Sequence, residues 1–119
     1  MVDQELALIY QAITGRKSNQ MTDGHWISSG PFNDPKRHMS GSWYNVPDVA
    51  LPDGLMMWIE ALHNREIEIH VVPLFDGDRP ETRCDLLRAR SSIGIAVGHG
   101  PNLYAAFEMA VRRMPRASE

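Results

Sequence analysis

"GIAVGHGPNLYAAFEMAVRRM", residues 94–114, decides how this chain folds. A run of small and β-branched residues passes through Gly98, His99, Gly100 and Pro101 into an alanine-rich amphipathic segment. The stretch reads as strand, corner, helix. Glycines at such a corner can hold a phosphate on exposed backbone N–H groups, or they can simply turn the chain. A dinucleotide fingerprint needs further glycines and a downstream acid, and a P-loop needs Lys followed by Ser or Thr at the helix start. Neither is present. Pro101 suits a first helical position, so the corner is read as structural, with Gly98 or Gly100 at positive φ. In the strand, Ile93, Ile95 and Val97 alternate with Gly94, Ala96 and Gly98, and the larger residues are expected to face the core. In the helix, Leu103, Ala106, Phe107, Ala110 and Met114 fall on one stripe.

Working outward, "EIEIHVVPLF" alternates strictly and predicts a half-buried strand with Ile67, Ile69 and Val71 inward and His70 outward. "DGDRPE" is turn chemistry, and "TRCDLLRAR" is the next strand. Short connections make the three strands antiparallel. Upstream, "LPDGLMMWIEALHN" predicts a helix with Pro52 in its first turn, an apolar stripe of Leu55, Trp58, Ile59 and Leu62, and Asn64 as a left-handed stop. "DQELALIYQAITG" predicts another, capped by Asp3 and Gly15, with Leu6, Ile9, Tyr10 and Ile13 inward. Between them, residues 16–46 are rich in turn formers yet carry Trp26, Phe32, Trp43 and Tyr44. Disordered segments are poor in aromatics, so parts of this loop are expected to fold back. "HWISS" and "SGSWYNV" are candidate paired strands. The class is α+β: a mainly antiparallel sheet of three to five strands packed by helices in an α/β/α layering, in the order α-loop-α-β-β-β-α.

The chain has 119 residues, a size that favours one domain spanning 1–119. Its net charge of −3 places a phosphate-driven nucleic-acid binder at a disadvantage. Cys84, the single cysteine, permits no internal disulfide and fits a reducing cytoplasm. No apolar run has the length of a membrane span, and "MVDQELALIYQ" lacks the basic start of a signal peptide.

Catalytic signatures are weak. Five histidines, His25, His38, His63, His70 and His99, show neither HExxH nor paired CxxC spacing. Cys84 has Arg83 beside it, but strand neighbours point to opposite faces, so it reads as a small core residue. No GxSxG elbow occurs. "GRKS" at 15–18 follows a helix rather than a strand, which removes the P-loop comparison. Arg83, Arg88 and Arg90 form one basic group and Arg112, Arg113 and Arg116 another. The strand-strand-strand-helix run is similar to double-stranded RNA-binding domains, but "GHGPNLYAAF" lacks the basic residues that clamp phosphate there.

Over most of its length the chain resembles the phage ABA sandwich domain, a small domain of phage and prophage proteins. The likeness rests on "ELALIYQAITG", on "YNVPDVA" leading to "MMWIEAL", on "RCDLLRAR" and on the closing "GHGPNLYAAFEMAVRRM"; "LPDG" and the loop from Pro31 to His38 depart from it. The resemblance implies a layered α/β/α fold and a phage origin, and it carries no catalytic residue. The function expected is that of a non-enzymatic accessory protein acting by protein binding in the host cytoplasm, of the anti-CRISPR kind. Its partner would be a host protein such as a nucleic-acid-binding defence effector, with no cofactor, metal or membrane involved. Direct nucleic-acid contact is disfavoured, and a homodimer is left open. Trp26, Phe32, Asp23 and Asp34 are the expected partner-binding group, with Arg83 and Arg88 as a second surface; Trp43 is expected in the core. The alternatives are a small protein that sequesters a nucleotide signal, and a phage structural or assembly factor.

Overall fold

The computed structural model describes residues 2–29, 43–91 and 93–115, without the side chains of Trp43 and Asp76. The first helix, α1 (Gln4–Thr14), starts where Asp3 accepts a hydrogen bond from the Leu6 N–H at 3.0 Å. It ends at Gly15, whose left-handed φ of 73° lets its N–H reach the Gln11 carbonyl. Leu6, Ala7, Ile9, Tyr10 and Ile13 form its buried stripe. Beyond it lies a small antiparallel sheet of β1 (Ser18–Gln20), β2 (Trp26–Ser29) and β3 (Trp43–Asn45). The two candidate strands of the loop do pair, with Ser28 opposite Tyr44. β1 is an addition: three polar residues carry no alternation that a sequence reading could detect.

The second helix, α2 (Pro52–His63), has Pro52 and Asp53 in its first turn as expected. Asn64 is right-handed, φ −66°, and Glu66 at φ 59° is the residue that turns the chain into the sheet. The large sheet consists of β4 (Ile67–Asp76), β5 (Arg79–Arg88) and β6 (Gly94–Gly100), all antiparallel with β5 central. The turn between β4 and β5 is only Gly77-Asp78, with Gly77 at φ 64°. Both prolines of the hairpin obey its hydrogen-bond phase. A two-residue turn is closed by a hydrogen-bonded pair, and the pairs then alternate. Phe75 opposite Pro80, and Pro73 opposite Thr82, therefore occupy positions whose N–H points away from the partner strand. Neither proline removes a ladder bond of the hairpin.

The face of β6 is the reverse of the expected one. Pairing sets Ala96 beside Leu86 and Gly98 beside Cys84, and it is Cys84, Leu86 and Gly98 that are buried. Ile93 is 60% exposed and Val97 40%; Ile95, at a register shift beside Leu86 and Leu87, is half-buried against the core, and Val71, expected inward, is 45% exposed. The physical reason is the approach of α3 (Leu103–Arg112). A Cβ on Gly98 would lie 2.2 Å from the Ala106 carbonyl oxygen and 2.3 Å from the Ala110 nitrogen. Small residues in the strand meet alanines in the helix, and backbone approaches backbone. Neither Gly98 nor Gly100 has positive φ; space, not dihedral freedom, dictates glycine at 98. Pro101 also stands two places before the first helical residue, Leu103, ahead of Asn102, which caps α3 by accepting from the Ala105 N–H at 2.9 Å.

The class and element order agree with the sequence reading. The layering differs from the expected α/β/α: α2 packs on β4 and α3 on β5 and β6, on the same face, while α1 packs on both helices and on the small sheet, which is separate from the large one. One core joins them, with Trp58, Tyr10, Phe107, Leu6, Leu62 and Leu86 at its centre. The other face of the large sheet carries no helix among the described residues.

Candidate functional site

Beyond Thr82 the third strand is absent, and β4 and β5 continue as a two-stranded arm. Alternation places Val71, Pro73, Phe75 and Pro80 on one side of the arm, and all four are exposed, Phe75 by 77%. In sequence, residues 76–85 carry four acids against two arginines, and the pairing puts Glu81 and Asp85 on the face opposite this strip. On the opposite side Arg83 Nε stands 3.2 Å from Asp85 Oδ1. The two meet as an ion pair without hydrogen-bond alignment. His99 stands 3.8 Å from Glu81 on the same side.

Of the residues expected to bind a partner, Trp26, Asp23, Arg83 and Arg88 are described, on β2, the β1–β2 turn and β5. Trp26 is half-buried and packs against the core; it lines a shallow hollow with Val2, His25 and Val46. Asp23 turns onto His25, accepting from its backbone N–H at 3.1 Å and contacting its ring nitrogen, so it organises a turn. The neighbouring backbone N–H and the His25 ring hold its carboxyl below the usual range. Phe32 and Asp34, like His38 and Arg116, lie outside the described residues, as does the side chain of Trp43. Arg83 and Arg88 are five residues apart on β5 and therefore project to opposite faces. His63 and His70 border one shallow hollow beside Ile59 and Ile67. Among the described residues no group of three or more His, Cys, Asp or Glu could hold a metal ion. Cys84 is fully buried; burial, with Asp85 adding to it, pushes its thiol up to about 11. It is protonated at neutral pH and suited to packing.

The C-terminal arginines have one clear structural role. Arg112 joins the ends of α1 and α3, reaching Asp3 at 2.9 Å, Glu5 at 2.7 Å and Glu108 at 3.4 Å. Burial opposes its charge, but the hydrogen bonds it donates to Asp3 and Glu5 outweigh it and hold the guanidinium above the ordinary arginine value. For Asp3, slight burial acts upward, while Arg112 and the Leu6 N–H bring its carboxyl below 3.8. A carboxylate depressed in the folded state adds stability above its unfolded value and loses it as pH falls through the folded one. Thermal unfolding of Arg112→Ala should show a loss of about 1 kcal/mol at neutral pH, since the carboxylates are half-exposed. The difference between wild type and variant should shrink below about pH 4; an undiminished difference at pH 2 would locate the effect in packing alone.

A second site was not anticipated. The end of α1, the middle of α2 and the edge of the small sheet enclose a cleft of about 510 Å³. Tyr10 forms its wall, with its ring 6.0 Å from the Arg16 guanidinium and its hydroxyl accepting from Arg16 Nη1 at 3.3 Å. Burial raises the Tyr10 hydroxyl above its usual 10.0, Arg16 opposing and Glu60 adding, so the hydroxyl stays protonated. Arg65 enters from the turn after α2, and its Nε donates to the Ile13 carbonyl at 2.5 Å. Tyr44, 56% exposed, stands at the opening with Asn45 and Met57. No carboxylate among the described residues pairs with either Arg16 or Arg65, in contrast to Arg112 and Arg83. The cleft eluded the sequence because it joins four segments whose adjacency depends on the pairing of β2 with β3.

Comparison with protein families, with curated proteins and with solved structures finds no match. The likeness to the phage ABA sandwich domain therefore rests on the motifs quoted above. No helix among the described residues is long and apolar enough to cross a membrane.

Proposed function

We propose that this chain is a non-enzymatic binding protein of phage type that inhibits a host defence system by occupying a basic surface of a protein effector. The observation that carries the reading is the β4–β5 arm. A solvated strip of Val71, Pro73, Phe75 and Pro80 lies on a ribbon with an excess of acids. Exposed apolar strips rimmed by polar residues mark interaction surfaces. The excess of acids on the ribbon as a whole steers toward basic partners, among them the nucleic-acid channels of effectors. On this reading the contact surface is the arm and not the aromatic loop around Trp26.

The test is quantitative capture of host-lysate proteins by wild type, Phe75→Asp and Trp26→Ala. Phe75→Asp should keep the wild-type melting temperature to within about 0.5 kcal/mol of stability, because the side chain is solvated. It should weaken capture about tenfold or more, as loss of an aromatic anchor does, and the captured protein should be basic and released by salt. Trp26→Ala should lose stability and keep its binding per folded molecule. Equal capture by Phe75→Asp and wild type would remove the arm from the interface.

A further inference from the structure

The cleft at the end of α1 has no part in the arm and shares no lining residue with it. We infer that it is a binding site for a nucleoside monophosphate, with Arg16 and Arg65 taking the phosphate and Tyr44 covering the base. Its volume, about 510 Å³, lies within the range of small-molecule sites. Its chemistry is divided in the way such a ligand requires.

The cationic half is fixed in place. Arg16 spends one N–H on the Tyr10 hydroxyl, and Arg65 spends Nε on the Ile13 carbonyl. Tyr10 and Ile13 lie one turn apart at the end of α1, so the same helical turn orients both guanidiniums. Each retains further N–H donors, and a guanidinium presents these in the planar fork that suits phosphate oxygens. Capping the end of α1 explains one bond of Arg65, but it does not explain why two arginines border the same cleft with no described carboxylate paired to either. Among the described residues Glu60 is the one acid in the lining, so the described lining carries a net positive charge inside an acidic protein.

The aromatic half is Tyr44, an exposed tyrosine, with Asn45 and Asn64 also among the lining residues. An aromatic face stacks on any base, and amides supply both donors and acceptors for base edges. Opposite Tyr44 on the strand ladder is Ser28, only 3% exposed; it and Ser29 are also lining residues. Phosphate at the arginines and base at Tyr44 is thus the orientation that uses both halves.

The test is calorimetric titration of the full chain with AMP, GMP, CMP and UMP, with adenosine and inorganic phosphate as partial ligands. At least one mononucleotide should bind, and adenosine and phosphate should each bind about tenfold more weakly or worse, the worth of one charge-assisted contact or one stacked base. Arg16→Gln should weaken the mononucleotide about tenfold or more. Tyr44→Ala should do the same while leaving phosphate affinity unchanged, and Phe75→Asp should leave all of these affinities unchanged. Melting curves of each variant establish that it is folded; Tyr44, solvent-exposed, serves as the decisive variant if Arg16→Gln unfolds. No heat with any mononucleotide at millimolar concentration overturns the site. So does adenosine or phosphate binding as tightly as the nucleotide, or wild-type nucleotide affinity in folded Tyr44→Ala. None of these results bears on the arm, whose test reads protein capture.

Discussion

Gly98→Ala should destabilise the protein by about 3 kcal/mol or more, at or beyond the upper end of what overpacking costs. The added carbon would sit 2.2 Å from one backbone atom of α3 and 2.3 Å from another. A flexible side chain could swing aside, but the helix backbone cannot. The helix would have to withdraw from β6, and Phe107, Ala110 and Val111, all fully buried, would lose their contacts together. Against a total stability of roughly 5–15 kcal/mol, that is a large fraction. Gly94→Ala, four residues earlier on the same strand, is the control: a Cβ there meets only the Leu87 side chain, at 3.9 Å. It should stay within about 0.5 kcal/mol of wild type. Urea denaturation measures both, as a lower midpoint for Gly98→Ala at unchanged slope. If the two variants were equally stable, α3 would have to pack further from the sheet than it does here.

The same residues show how much of the fold the sequence made legible. The elements other than β1 followed from periodicity, caps and turn residues: Asp3 and Gly15 bracket α1, and the stripe of α2 contains Trp58 and Leu62. The inward face of β6 did not follow, because strict alternation defines two faces without saying which is buried. Weighting by side-chain size selected Ile93, Ile95 and Val97. The decisive signal was the pairing of Gly98 in the strand with Ala106 and Ala110 in the helix, small residues that make sense only if two backbones approach. The corner at residues 64–66 was misplaced for a different reason. Asn tolerates the left-handed region and Glu does so rarely, yet tertiary packing put Glu66 there. Function was less legible than fold. Phe75 appeared as one more inward-pattern residue of an alternating strand, and its exposure follows from β6 ending before the arm does. Arg16 and Arg65 are 49 positions apart in the chain. They border one cleft only because both reach the last turn of α1.

Trp58→Ala should cost about 3–5 kcal/mol, the usual range for truncating a buried tryptophan. Its side chain is fully buried at the centre of the core. Two directional contacts add to its packing. The indole N–H donates to the Pro47 carbonyl at 2.8 Å in a buried setting, and the ring meets Tyr10 edge-on at 5.0 Å between centroids. Trp58→Phe separates these contributions. It keeps an aromatic ring against Tyr10 but leaves the buried Pro47 carbonyl without its donor, which costs about 1–3 kcal/mol, with a smaller packing loss added. Thermal unfolding should therefore rank wild type above Trp58→Phe above Trp58→Ala. The bond to Pro47 also ties α2 to the chain just beyond β3, where Tyr44 and Asn45 border the cleft. Folded Trp58→Phe should thus bind mononucleotide more weakly than wild type, although Trp58 itself is not among the residues lining the site. Wild-type stability in Trp58→Phe would mean that the Pro47 carbonyl finds another donor. It would also mean that the end of β3 is held by the sheet pairing with β2 and not by the core.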